Sequence, residues 1–259
     1  MYPIDLSDKY GIVFGIANHR SIAWAIAEIL HNAGAKLAIA YQNERVRDSV
    51  ARLVEDWEGE TPLIECDVSD DFNVAAAFDR VGDTFGFLDI MVHSIAFANR
   101  EDLGGPFVDT DRDGFRLALD ISAYSLLPIA RYGAPLMQQN GGSILTLTFQ
   151  AANRVFPGYN IMGTAKAALE NEVKQLASDL GQQNIRVNAI SAGPLDTLSS
   201  RVISHYRDMK RIHAERSPMR RNITTEEVAK AALFLCSDLS GGVTGEILHV
   251  DAGYNIMGI

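Results

Sequence analysis

The sequence predicts a single domain built on a doubly wound parallel α/β sheet, with a helical insertion near the C-terminal third that covers a substrate site. Three observations carry this. Short apolar runs alternate with helix-periodic segments along almost the whole chain. The 259 residues, 47% of them apolar, are enough for one core of the larger α/β kind. The rhythm breaks from Ser191 to Thr225, a stretch too long for an ordinary connection, which is expected to carry a helix or two of its own.

In order, Tyr10–Gly15 reads as a buried strand, and Ser21 opens a helix with Ile22, Ala23, Ile26, Ile29 and Leu30 on its inner face. Lys36–Tyr41 is a second strand, followed by a charged helix from Glu44 to about Trp57. Leu63–Cys66 is a third, then a helix over Asp71–Phe85 and a strand over Leu88–His93. A long helix is expected around Gly114–Met137, a strand at Ser143–Thr148, a helix from about Tyr159 to Leu180, and strands at Ile185–Ile190 and Ile247–Val250. Such alternation gives parallel strands with helices on both faces, joined right-handedly. Residues 1–259 are read as one unit, with 191–225 as the covering segment.

Composition narrows the partners. A net charge of −10 and a pI near 5.0 argue against nucleic acid, whose phosphates require a basic surface. Cys66 and Cys236 have no CxxC spacing, so neither a disulfide framework nor a metal site is suggested. The first residues lack a basic segment followed by an apolar one, and no run of about 18 apolar residues occurs. The expectation is a cytoplasmic protein without membrane insertion.

Chemistry concentrates at the strand ends. Gly15 permits a tight turn between the first strand and first helix, where the small Ser21 and Ala23 let a pyrophosphate approach the helix N-terminus, with Ala17 and Ile22 as further cofactor-binding candidates. This is not GxGxxG, and a glycine turn alone is weak evidence. The later strand ends add weight, because ligands of such sheets lie along the carboxyl edge. They supply Gln42, Asp67 and Val68, and Ser94, Ile95 and Ala96; Asp67 is placed to accept from an adenine amino group. Gln42 stands where a carboxylate would hold the 2′-hydroxyl of NAD, with Arg45 and Arg47 further on, and the balance favours NADH over NADPH. Tyr159, Met162 and Lys166, spaced by three, four and seven residues, are expected on one helical face, putting a phenol and an ammonium toward the same ligand.

With these residues collected, the chain resembles the short-chain dehydrogenase/reductase superfamily, with its Rossmann-like fold, and within it the bacterial NADH-dependent enoyl-[acyl-carrier-protein] reductases. The resemblance runs from Gly15-x5-Ser21-x-Ala23 through His93–Phe97 and Tyr159-Asn-Ile-Met-Gly-x-Ala-Lys166 to Arg186–Pro194 and Val250–Tyr254. Ordinary members have Tyr-x3-Lys and a serine thirteen residues before the tyrosine. Here those positions hold Met162 and Phe149, and the tyrosine stands seven before the lysine, as in the enoyl reductases. The resemblance implies that Tyr159 meets the enolate oxygen formed when hydride reaches the β-carbon of a trans-2-enoyl thioester, and that Lys166 holds the nicotinamide ribose. It implies that Ala192, Gly193, Pro194 and Leu195 pack under the nicotinamide and that Thr197 touches the pyrophosphate. Phe97, Ala98, Phe149, Phe156, Met162, Ile203 and Tyr206 become candidates for the acyl pocket. Phe149 replaces a second tyrosine found in many relatives, and Asp196 has no mechanistic account. Acyl carrier protein bearing the enoyl thioester is the implied partner, and a homotetramer the implied assembly. Seven basic and two acidic residues between Arg201 and Arg221 form a local excess of positive charge suited to an acidic carrier. The rivals are a carbonyl reductase for 3-oxoacyl thioesters and a non-catalytic dinucleotide-binding regulator.

Overall fold

The computed structural model describes residues 4–57, 59–197, 200, 203 and 206–258. Seven strands form one parallel sheet: β1 (Tyr10–Phe14), β2 (Lys36–Tyr41), β3 (Leu63–Glu65), β4 (Ile90–His93), β5 (Gly142–Thr148), β6 (Ile185–Ala192) and β7 (Ile247–Val250). Their spatial order is β3-β2-β1-β4-β5-β6-β7, so the chain reverses direction between β1 and β4. Connections leave in opposite senses there and open a crevice at the carboxyl edge.

Among the described residues, eight α-helices cover the sheet: α1 (Ile22–Asn32), α2 (Glu44–Val54), α3 (Asp71–Phe85), α4 (Arg112–Leu119), α5 (Leu126–Met137), α6 (Asn160–Leu180), α7 (Tyr206–Arg216) and α8 (Thr225–Cys236). The strands are apolar on both sides because both sides are covered. Val13, Ile39, Val92, Leu145 and Ile190 pack toward α1, α2 and α8. Ile12, Ala38, Met91, Ile144 and Val187 pack toward α3, α5 and α6. Among the described residues, no helix is long and apolar enough to cross a membrane.

Two elements depart from the sequence reading. The helix expected over Gly114–Met137 is interrupted by one π-helical turn, Asp120–Tyr124, which separates α4 from α5. Helix α8 was not anticipated, although Thr224 and Glu227 form a complete capping box at its start. The segment after β6 carries the helix α7.

Candidate active site

The carboxyl ends of β1, β2, β3, β4, β5 and β6 surround one cavity of about 410 Å³. Gly15 turns the chain out of β1 with φ +95°, and a Cβ there would lie 2.0 Å from the Ser94 carbonyl oxygen, so only glycine fits. Ser21 does not cap its own helix. Its hydroxyl turns back to accept from the N–H groups of Ala17 and Asn18 at 3.1 and 3.2 Å, which shapes the turn and leaves the first turn of α1 facing the cavity. Ala17, Ile22, Gln42, Asp67, Val68, Ser94, Ile95 and Ala96 line the same space, as do Ala192, Gly193, Pro194, Leu195 and Thr197 on the opposite side. Asp67 already accepts from the backbone and hydroxyl of Ser69 through Oδ1. Cys66 also lines the cavity, but burial and then the neighbouring Asp67 push its thiol up to about 12, so it stays protonated. The glycine cradle and helix N-terminus fit a dinucleotide phosphate.

At the inner end lie Tyr159 and Lys166. Lys166 is 5% exposed and donates to the Leu147 carbonyl at 2.7 Å. Burial pushes its ammonium down to about 8, with Glu170 opposing. One turn further along α6, Glu170 accepts from Thr148 Oγ1 at 2.8 Å and Asn153 Nδ2 at 3.1 Å, tying α6 to the end of β5 and the loop beyond it. The Tyr159 phenol is raised above its ordinary value by burial first and by Tyr206 second. It is therefore a hydrogen-bond donor throughout the neutral range.

Of the three residues expected on one helical face, Tyr159 and Lys166 line the cavity together, whereas Met162 does not. Tyr159 precedes α6 as its N-cap, followed by Asn160 at φ +33°, so it is out of phase with the helix. Met162 does not line the cavity and packs with Leu103 and Ala165, with Tyr159 against the same cluster. Ala98 joins that cluster, and Phe156 lies behind Phe149 with ring centroids 4.7 Å apart. These three back the cavity rather than line it. Phe97, Phe149, Ile203 and Tyr206 do line it, although the Tyr206 hydroxyl is engaged in a 2.6 Å bond to the Leu195 carbonyl.

The π turn supplies what the sequence reading missed. Ile121 reaches the cavity. The fully buried Ser122 hydroxyl accepts from the Phe97 N–H at 2.8 Å and donates to the Phe97 carbonyl at 2.9 Å. Ser125 donates to the Ile121 carbonyl, so it accepts from His93 Nε2–H, and His93 Nδ1 accepts from Thr146. Burial, then Lys166, pushes His93 down to about 3, so it remains neutral.

The basic segment is less positive than its composition implies. Lys210 pairs with Asp196, Arg211 with Asp208 and Glu215, and Arg221 with Glu227. Asp196 thereby gains a structural account, linking the chain after β6 to α7. Arg201 lies outside the described residues.

Sheet topology, glycine turn and the Tyr159–Lys166 pair together define a dinucleotide-dependent α/β oxidoreductase. A family model described as Enoyl-(Acyl carrier protein) reductase matches residues 15–255. A curated relative, Enoyl-[acyl-carrier-protein] reductase [NADH] FabI of Bacillus cereus, is 52% identical over 254 residues, covering 98% of this chain and 99% of that protein. The Bacillus cereus enoyl-acyl carrier protein reductase crystallised with NADP+ and indole naphthyridinone superposes with a TM-score of 0.95 at 51% identity, over 98% of this chain and 99% of that one. The Anaplasma phagocytophilum reductase in complex with NAD gives 0.94 at 45%, over 98% and 96%. The chain belongs to the enoyl-[acyl-carrier-protein] reductase family of the short-chain dehydrogenase/reductases.

Proposed function

We infer that Tyr159 and Lys166 carry the reduction of a trans-2-enoyl thioester in this cavity. The activity is that of an NADH-dependent enoyl-[acyl-carrier-protein] reductase of fatty-acid biosynthesis. NADH, when bound, supplies the hydride. Gly15, Ala17, Ser21, Ile22, Gln42, Asp67, Val68, Ser94, Ile95, Ala96 and Lys166 would hold it on one side, and Ala192–Leu195 with Thr197 on the other. As hydride reaches the β-carbon, negative charge collects on the thioester oxygen. The protonated Tyr159 phenol meets that charge with a hydrogen bond, and the Lys166 ammonium adds a favourable field. The observation that carries this reading is the Tyr159 phenol lining the cavity together with Lys166, while Met162 and Phe149 hold the positions where ordinary ketone reducers keep their acid and serine.

Phe97, Phe149, Ile203 and Tyr206 form the acyl wall in this reading, with residues 191–225 as the cover and the acyl carrier protein as donor of the substrate. Exposed Arg207 on α7 suits an acidic carrier better than the neutralised Lys210. A homotetramer in the cytoplasm is the assembly we favour. An apolar hollow between α4 and α6, lined by Phe115, Leu119 and Tyr124 and holding a Glu172 pushed up to about 7 by burial, supports a second copy there. NADH oxidation with crotonyl and acetoacetyl thioesters, for wild type and Tyr159→Phe, tests the chemistry. Turnover of crotonyl thioester that depends on the phenol is expected, and turnover of acetoacetyl thioester alone would overturn it.

A further inference from the structure

The C-terminal residues Asp251–Met257 take no part in the chemistry above, yet they are tied to the site from two sides. Asp251 accepts from the N–H groups of Gly253 and Asn255 at 2.9 and 2.7 Å, which fixes the turn. Arg154, in the loop after Phe149, donates to the carbonyls of Asn255 and Met257 at 2.9 and 2.6 Å. Between these anchors the Tyr254 ring stacks on His213 of α7, with centroids 4.4 Å apart and planes at 24°. It also meets Phe156 in a tilted contact, with centroids 6.4 Å apart. Phe156 packs on Phe149 at 4.7 Å, and Phe149 on Tyr159 at 5.0 Å. Four ring contacts thus run from α7 to the phenol. His213 is 3% exposed and also sits behind the cavity floor, where a Cβ on Gly193 would come within 3.1 Å of its Cε1.

Phe149 gives this lane a purpose. A phenylalanine has no hydroxyl to anchor it, so the position of its ring rests on packing alone. Tyr159 lies before the first turn of α6, so its ring is held by packing too, against Leu103, Met162 and Ala165 on one hand and Phe149 on the other. We propose that Tyr254 is a positioning residue for the reduction: its ring is the outer stop that keeps Phe156 and Phe149 seated against Tyr159 and the phenol aimed into the cavity. This rests on the assignment of Tyr159 made above. Misplacement of a reacting group by about 1 Å can cost on the order of 100-fold, so loosening a three-ring stack has a measurable effect.

The test uses Tyr254→Leu, Tyr254→Phe and Phe156→Leu in the full chain, with NADH oxidation on crotonyl thioester, NADH affinity by fluorescence quenching, and Tm. Tyr254→Leu is expected to lower kcat about tenfold with NADH affinity unchanged, Tyr254→Phe to retain most of the activity, and Phe156→Leu to reproduce the kcat loss. In a Tyr159→Phe background the Tyr254→Leu change should cost less than about twofold, because no phenol remains to be aimed. Wild-type kcat in either Leu variant, equal impairment in Tyr254→Phe, a further tenfold loss in the Tyr159→Phe background, or a parallel loss of NADH affinity would each overturn the proposal. Wild-type turnover by Tyr159→Phe itself would instead remove the phenol assignment, and the inference with it.

Discussion

The Lys166 ammonium donates to the Leu147 carbonyl at 2.7 Å, so the end of strand β5 and the second turn of α6 are joined through a charge that is 5% exposed. That charge sits well below an ordinary lysine, at about 8, because burial disfavours the ionised form more than Glu170 restores it. Below about pH 8 the group is an ammonium, and above it the charge is lost. The profile of kcat/KM against pH should therefore fall on its alkaline side through about 8, reporting the free enzyme. His93, held near 3, contributes no limb between pH 5 and 9. Steady-state rates from pH 6 to 10 for wild type and Lys166→Met check this. The wild-type limb should vanish in the variant, whose rate is low throughout; a wild-type profile that stays flat to pH 10 would contradict it.

The phenol behaves differently. Its burial, reinforced by Tyr206, keeps the proton on oxygen at every pH of that profile. Replacing Tyr159 by phenylalanine removes one donor to a developing oxyanion while keeping the ring against Phe149. Loss of such a donor costs about 100- to 1000-fold in kcat. We expect that loss with unchanged NADH affinity, measured by stopped-flow reduction of crotonyl thioester and by fluorescence titration. An equal weakening of NADH binding would mean the phenol serves the coenzyme instead.

Gly15→Ala should damage the coenzyme turn specifically. The residue needs φ +95°, and its Cβ would press into the Ser94 backbone. Backbone strain of this kind costs about 1–3 kcal/mol before the clash is counted. NADH affinity should drop at least about tenfold, a 1.4 kcal/mol loss, with a lowered Tm. Gly86→Ala serves as a control: it also has positive φ, but its Cβ would meet nothing within 4 Å, so it should lower Tm and leave NADH affinity alone.

The sheet was legible because strands buried on both faces write continuous apolar runs, and the coenzyme edge followed from where those runs end. The geometry around Tyr159 was not. Spacing counts assume a residue inside the helix, whereas Tyr159 caps it and Asn160 turns to φ +33°. The π turn has no pattern distinct from an ordinary amphipathic helix, so Ser122 and Ser125 read as incidental polar residues. Helix α8 was legible in principle, since Thr224 and Glu227 spell a capping box. The basic run was legible only in part: summing charges along the chain ignores Asp196 and Glu227, which lie outside Arg201–Arg221 and pair with Lys210 and Arg221 in space.

The two serines of the π turn should separate stability from substrate handling. Ser125 is fully buried and is the acceptor for His93 Nε2–H at 2.8 Å. Ser125→Ala leaves that donor unsatisfied in an interior where no charge on His93 can relieve it, at a cost of about 1–3 kcal/mol. Urea denaturation should show the shift in midpoint without a change in slope. Ser122 instead holds both backbone groups of Phe97, whose half-exposed ring lies at the acyl side of the cavity. Ser122→Ala should raise KM for crotonyl thioester severalfold and leave NADH affinity unchanged, since Phe97 lies beyond the Ser94–Ala96 stretch that we assign to the coenzyme. If Ser122→Ala instead weakens NADH and thioester equally, the π turn supports the whole cavity and has no selective hold on the acyl wall.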